Sequence, residues 1–553
     1  MITGLFLFSL RAFAAEAGIP AVFINTVKHN GAEMTKDMGW QDTGILVMDA
    51  EGTVIKSDEA GKIKIRGNST AAGEKKPYNI KFSEKTDLFG FGKASTYCLL
   101  ANCFDPTLIR NTLALDLADE TGLSYTPEHK FVELTVDGVY QGCYLLTEKV
   151  ETGSQRIDLD IDNGDFLIET EQDRVEAGVT YITPGGEFRF SLSDPEEPTE
   201  EQESVISAVL EEIYRTVKEG SFEQIAKVID IDSFVKFYVF NEYLKNVDFA
   251  YSSTYYYYKD GKLYAGPVWD YDLSQGNAGQ MYGNYFSGDG STGYENLWCV
   301  KSWYKYLMAD SQFVSLVKKE LRNDGERFRK LYREGGAVDQ MISSFGSLFK
   351  KNYSPLEEGG AGWEEGKCYS ELEAVPFASF EENVVFLKNW LLNRDKDIQK
   401  EIGTFSAEAQ KTMLKALGRP LFSASWFIDT DGSWKIRNSA GEIVRNAWLC
   451  DDAIPENGTS IWYLLDEEGR MVEGGLVREN EDTWYSLETE HNGHYGMLRY
   501  QNGEYDGVPI SFSGEHDGTF GKILNQEAVT ALLEKFGEGT FRGTETVVYT
   551  SSF

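Results

Sequence analysis

Histidine and cysteine are sparse and scattered in this chain, and basic residues are heavily outnumbered. The five histidines (His29, His129, His491, His494, His516) form no HExxH pair, and the six cysteines (Cys98, Cys103, Cys143, Cys299, Cys368, Cys450) form no CxxC. Without those spacings a zinc site has no ligand set, and catalysis by a histidine base has no support. The even cysteine count does not establish bridges, and buried free thiols fit it equally well. Lysine and arginine total 53 against 89 aspartates and glutamates, a formal charge of −36. That field opposes binding to polynucleotide or anionic lipid, so no nucleic-acid partner is expected. No apolar run beyond the N-terminus reaches the roughly 18 residues that span a bilayer, so no transmembrane anchor is expected either.

At 553 residues and 41% hydrophobic the chain can bury a large core and exceeds the usual single-domain size, which implies two or more domains. Its 11 Trp and 30 Tyr can stack on sugars, bases or peptides, although such side chains more often fill cores. Ile2 to Leu10 is mostly apolar and is followed by Ala12-Phe13-Ala14-Ala15, a small-x-small cleavage pattern. A signal peptide over 1–17 is expected, lacking its basic start, and with it a secreted or cell-surface location.

Period-two runs come first. Ala21 to Ile24, Gly44 to Met48 and Lys62 to Arg66 read as strands, as do Phe131 to Val136 and Tyr140 to Leu146 around the turn Asp137-Gly138. Between them, Asp105 as cap and Pro106 in the first turn open a helix running to Glu120. From Glu200 the period turns helical, and a second helix from Ser233 to Lys245 is apolar nearly all round, hence buried. Thr254 to Tyr258 and Lys262 to Val268 straddle Asp260-Gly261 as a further hairpin. The expected class is α+β and bilobal, a strand-rich lobe followed by a helix-rich one.

That hairpin carries the chemistry. In Gly266-Pro267-Val268-Trp269-Asp270-Tyr271-Asp272 the two aspartates stand two residues apart, so on a strand both face one way and can share a cation. Oxygen ligands of this kind suit Mg²⁺ or Mn²⁺. Asp248, leaving the buried helix in Asn246-Val247-Asp248, is free to orient or deprotonate a nucleophile.

After Gly403 to Pro420 the texture changes. Trp434 precedes Ala440 to Val444 and Trp448; Trp462-Tyr463-Leu464 precedes Glu468-Gly469-Arg470; Trp484-Tyr485 follows. Recurring aromatics, turns and second strands mark stacked β-hairpins. From Ser425 to Asp506 they resemble cell-wall or choline-binding repeats. The expected organisation is a main domain over 18–402, a linker over 403–422, and a small β-hairpin repeat domain over 423–553.

The main domain resembles a definite family, the spore-coat CotH proteins, an atypical secreted branch of the protein-kinase-like fold. The residues that carry it, in order, are Ile19 to Thr26, Lys64-Ile65-Arg66-Gly67-Asn68-Ser69-Thr70, Lys75-Lys76-Pro77-Tyr78-Asn79-Ile80-Lys81-Phe82, Asp105 to Asn111, Gly142 to Lys149, Asn246 to Asp248 and Pro267 to Asp272. The resemblance implies transfer of phosphate from ATP, with Mg²⁺ or Mn²⁺, to a surface or coat protein. Phosphoryl transfer needs cations facing the phosphates, acids holding the metal and one carboxylate near the acceptor hydroxyl. On that reading Lys81 is the first choice for the phosphate-pairing lysine, with Lys76 second and Arg66, Asn68 and Ser69 around the nucleotide. Each cation could instead be a solvated basic edge. Glu148 would pair with that lysine, or simply with Lys149. Asp248 would take the acceptor proton, Asp270 and Asp272 would hold the metal, and Thr254 would stand where the family usually has an asparagine for a second one.

No GxGxxG loop precedes these residues, so Gly67 to Thr70 with Gly73 must cover the phosphates. A second reading is a catalytically dead surface or coat-assembly protein whose repeats attach to wall polymer. A third is a glycosidase-like hydrolase, for which two carboxylates should flank a sugar site.

Overall fold

The computed structural model describes residues 18–26, 34–172, 176, 178–279, 301–367, 374, 376–407 and most of 422–551. The expected signal segment at 1–17, most of the expected linker, and Cys299 and Cys368 lie outside the described residues.

Alternating sequences build the first half. Strands β1 (Ala21–Asn25), β2 (Gln41–Met48), β3 (Val54–Ile65), β4 (Tyr78–Asp87), β5 (Lys93–Leu100), β6 (His129–Val136) and β7 (Val139–Glu148) close into a barrel in the order β1-β2-β3-β4-β5-β7-β6. The strand-rich part is therefore a closed barrel, sealed by parallel pairing of β1 with β6. Closure leaves no ladder unpaired. One face of each strand fills the inside: Val22, Ile24, Ile63, Ile80, Leu99 and Leu134 are all buried there. Outward-facing Leu100, Phe131 and Leu145 belong instead to a larger core shared with the helices.

Helix α1 (Arg110–Thr121) starts four residues later than its sequence suggests. The carboxylate of Asp105 accepts from the backbone N–H of Thr107 at 2.9 Å and of Arg110 at 2.8 Å, so it caps the turn that leads into the helix. A second sheet follows, all antiparallel, from β8 (Phe166–Glu171), β9 (Tyr181–Ile182), β10 (Phe190–Asp194), β11 (Ser252–Lys259) and β12 (Lys262–Ala265) in the order β12-β11-β8-β10-β9. Both foreseen hairpin turns are left-handed at each central residue, with φ of 50° and 80° at Asp137 and Gly138 and 51° and 82° at Asp260 and Gly261. That twist matches paired strands.

The longer helices that follow are α2 (Glu200–Glu219), α3 (Ile231–Leu244), α4 (Ser311–Tyr332), α5 (Ala337–Tyr353) and α6 (Phe380–Glu401). Helix α3 is the buried one, with Phe234, Phe237, Tyr238, Phe240 and Tyr243 inside. Its end is pinned by fully buried Arg394, whose Nε donates to the Glu242 carbonyl at 2.9 Å. The chain thus leaves α3 toward Asp248 from a fixed point.

The tail contains the foreseen hairpins: β13 (Phe422–Ile428) with β14 (Trp434–Asn438), β15 (Ala447–Glu456) with β16 (Thr459–Leu465), β17 (Gly475–Asn480) with β18 (Thr483–Leu487), and β19 (Gly503–Tyr505) with β20 (Val508–Ile510). It also contains a helix, α7 (Gln526–Phe536), and two late strands, β21 (Thr540–Phe541) and β22 (Val548–Ser551). Strand β22 lies parallel between β13 and β15, with Tyr549 opposite both Phe422 and Leu449. Each hairpin buries little alone, and the tail has several small apolar clusters.

Candidate functional site

The two carboxylates that the sequence places on a strand arrive differently. Strand β12 ends at Ala265, before Val268, and Asp270 has φ of +65°. Non-glycine residues take that conformation at a cost, usually where a turn must aim a side chain. Asp270 and Asp272 therefore sit on a tight turn, and strand alternation does not operate here. Asp272 is 7% exposed. Burial, then Asp270, Asp248 and Asp105, hold its carboxyl well above the usual carboxylate range. All three expected acids are thus electrostatic neighbours.

Asp248 lies on the turn after α3, its carbonyl accepting from the N–H of Tyr251 at 2.9 Å and Ser252 at 3.0 Å. Asn246 joins this turn to the other. Its Oδ1 accepts from the Asp248 N–H at 3.1 Å and its Nδ2 donates to the Asp270 carbonyl at 3.3 Å. The start of α1 docks on the same place, because Asn111 Oδ1 accepts from the Tyr271 N–H at 2.7 Å. Buried Arg110 pairs with Asp105, and Arg110 and Gln275 each donate from the side chain to the other's carbonyl, locking that helix down.

The barrel brings Arg66 to this place. The Arg66 guanidinium lies over the Trp269 ring, 5.2 Å from its centre, next to Asp270. Gly67 has φ of +79°, and a Cβ there would meet Thr70 Oγ1 at 2.1 Å, so this turn requires glycine. Lys64 is half-buried over Trp40, and burial, then Lys149, lower its amine. Cys98 shares the neighbourhood: burial pushes its thiol up, while Arg66, Lys149 and Arg156 pull it down.

The other expected nucleotide contacts lie less centrally. Lys81 is exposed on the outer face of β4. Lys76 donates to the Ala71 carbonyl at 2.9 Å, and Asn68 Oδ1 accepts from Lys36 at 2.5 Å. Ser69 opens the single helical turn Ser69–Ala72. Buried Lys75 is structural: it donates to the carbonyls of Ala101 and Cys143, and burial brings its amine down to about 8.

Glu148 and Thr254 have partners other than those expected. Glu148 accepts from the Glu128 N–H at 3.0 Å and pairs with Arg156 at 3.4 Å, so neither Lys81 nor Lys149 is its partner. Burial raises its carboxyl. A cavity of about 210 Å³ beside this pair has Tyr125, Gly92 and Pro267 in its wall and none of the three aspartates. Thr254 is 4% exposed, and its hydroxyl is used internally, accepting from the Ala250 N–H at 3.0 Å and facing the carbonyls of Ser252 and Asp248. The hydroxyl at Asp270 is that of Ser253, 3.4 Å away.

Strand β8 contributes acids that sequence reasoning passed over. Tyr255 donates to Glu169 at 2.7 Å, and burial, with Glu171 and Asp270 beyond, pushes the Glu169 carboxyl up to about 7. Glu171 lies beside Ser252 at 3.4 Å. Lys64, Arg66 and Lys62 alternate along one sequence, a signal that could have put Lys64 ahead of Lys81. Nothing local marked Glu169 or the asparagines.

Among the described residues no group of three His, Cys, Asp or Glu side chains could by itself enclose a metal ion. Mg²⁺ commonly takes one or two carboxylates and completes its shell with water and phosphate oxygen. Asp270 and buried Asp272 supply the carboxylates such a shell asks for, and a cation between them would relieve their mutual repulsion.

The fold and site define an α+β protein with acids on two linked turns beside Arg66 of the barrel. A family model described as CotH kinase protein matches residues 63–398, more than half of the 553-residue chain, and the protein belongs to that family. No curated protein matches the chain. No helix among the described residues is long and apolar enough to cross a membrane.

Proposed function

We propose that this protein is a secreted atypical kinase that transfers the γ-phosphoryl group of ATP to a serine or threonine of an extracellular or surface protein, using Mg²⁺ or Mn²⁺. The observation that carries the reading is the mutual proximity of Asp248, Asp270 and Asp272 at two linked turns, with Arg66 on Trp269 beside them. In this reading the barrel and the helical part act as the two lobes of a kinase-like unit over 18–402, and the tail over 423–553 is a separate unit that engages wall polymer.

The acceptor hydroxyl oxygen bonds to the γ-phosphorus while the bond to the β–γ bridging oxygen breaks, releasing ADP. Asp248 orients that hydroxyl and receives its proton. Arg66 and Lys64 meet phosphate oxygens, and Lys149 adds charge behind them. A divalent ion held by Asp270 and Asp272 would neutralise the phosphates during transfer.

Incubation with γ-labelled ATP, Mn²⁺ or Mg²⁺ and a protein acceptor tests this. Asp248→Ala should bind nucleotide without turnover, and Asp270→Ala should lose metal-dependent binding. Transfer at the parent rate by both variants would overturn the assignment. One observation favours the catalytically dead alternative: Glu148 is committed to Arg156, so it makes no lysine pair. That alternative requires the parent protein itself to transfer nothing.

A further inference from the structure

The turn that carries the acids is held in an unusual way. Three backbone groups of Asp270-Tyr271-Asp272 are bonded by asparagine side chains, two from distant segments and one five residues further along the same stretch. The Asp270 carbonyl accepts from Asn246 at 3.3 Å, the Tyr271 N–H donates to Asn111 at 2.7 Å, and the Asp272 carbonyl accepts from Asn277 at 2.7 Å. Asn277 also donates to the Phe104 carbonyl at 2.7 Å, and Asn111 to Asn102 at 3.0 Å. The three clamping residues are 9%, 5% and 2% exposed. Their amides are therefore costly to bury unless bonded, and here they are bonded to one turn.

The choice of side chain is informative. Three carboxylates crowd this place, and Asp270 is already in a left-handed conformation, so repulsion and backbone strain both act to open the turn. Arginine or lysine could hold it, but would neutralise the acids and compete with a cation. Aspartate would add to the repulsion. An amide donates, accepts and brings no charge.

We infer that Asn111, Asn246 and Asn277 form an uncharged clamp that sets the spacing of the Asp270 and Asp272 carboxylates and so the affinity of the site for a divalent cation. They are positioning residues, and the inference rests on the proposed metal-and-nucleotide reading of the site. Partners one step removed from a metal typically change its affinity 10- to 100-fold when lost.

The test uses the full chain and reads binding instead of turnover. The melting temperature is followed at fixed ATP while Mn²⁺ is titrated, for the parent, Asn111→Ala, Asn277→Ala and Asn352→Ala. Asn352 is a matched control: it is 1% exposed, and its Oδ1 accepts from the Cys143 N–H at 3.2 Å in the barrel. The Mn²⁺ concentration giving half the thermal shift should rise by about 10-fold or more in the first two variants. Asn352→Ala should melt lower without ligand yet keep the parent midpoint. Parent midpoints for Asn111→Ala and Asn277→Ala would overturn the clamp while leaving the kinase reading intact. A parent protein with no Mn²⁺-dependent shift would overturn the kinase reading, and the clamp with it. If either alanine variant fails to fold, Asn111→Ser or Asn277→Ser takes its place under the same criterion.

Discussion

The basic face of the barrel and the turns that carry the acids are built on opposite principles. On the barrel, Lys64 and Arg66 come from a strand and the turn that ends it, and the last four residues of β3, Lys62 to Ile65, are held by an unbroken ladder to β4. On the acidic side, Asp270 stands on a turn whose backbone is bonded largely by side chains, and the Asp248 turn is tied to it through Asn246. A ladder places its residues by register alone, whereas a turn of this kind depends on many distant partners being present at once. The basic face should therefore tolerate single substitutions that the acidic turns do not.

The largest break in that comparison should come from Asp248→Asn, which keeps shape but removes the base. Turnover of labelled ATP should fall by about 10²–10⁴, with the melting temperature unchanged. An equal loss from Lys64→Ala would show the two to be equivalent.

Next comes the joint between them. Arg110→Met strands buried Asp105 without its partner, both side chains being 1% exposed. Removing one member of a buried pair costs about 3–5 kcal/mol, so denaturant titration should show a stability loss of that order.

A pH effect sharpens the description of the acidic side. The Glu169 carboxyl has an ordinary value of 4.5 and stands at about 7 in the folded protein. Between those limits the folded chain holds a proton that the unfolded chain has lost, so stability falls as pH rises through the window and stays low above it. Glu169→Gln has no such proton. It should exceed the parent in stability at pH 8 by about 2 kcal/mol, allowing for partial exposure, and match it near pH 4. Equal stability across that range would place the Glu169 carboxyl in an ordinary environment.

The smallest effect separates the lysines. Lys64→Ala should raise the KM for ATP about tenfold, equivalent to about 1.4 kcal/mol, and Lys81→Ala should leave it nearly unchanged. The reverse result would restore Lys81 as the phosphate contact.

Local pattern made much of the frame legible. Asp137-Gly138 and Asp260-Gly261 fix their hairpins through two positions each, and α3 is apolar enough to announce its burial. Strand β12 misled because its apolar run continues to Val268, while Gly266, with φ of +113°, ends the pairing. Partners across the fold were the illegible part. Glu148 meets Arg156 only because the following loop turns back. Asn277 gains its role from Phe104 and Asp272 together, and no spacing encodes that. The aspartates themselves were readable, because an acid two residues from another beside a buried helix is costly unless paired.

The parallel insertion of Val548–Ser551 between β13 and β15 bears on the order of biosynthesis. The first two tail hairpins emerge from the ribosome roughly a hundred residues before the strand that joins them, a delay of several seconds at ordinary elongation rates. Throughout that interval their inner edges stand open to another nascent chain. The two hairpins are joined into one sheet only once Val548 to Ser551 have been made.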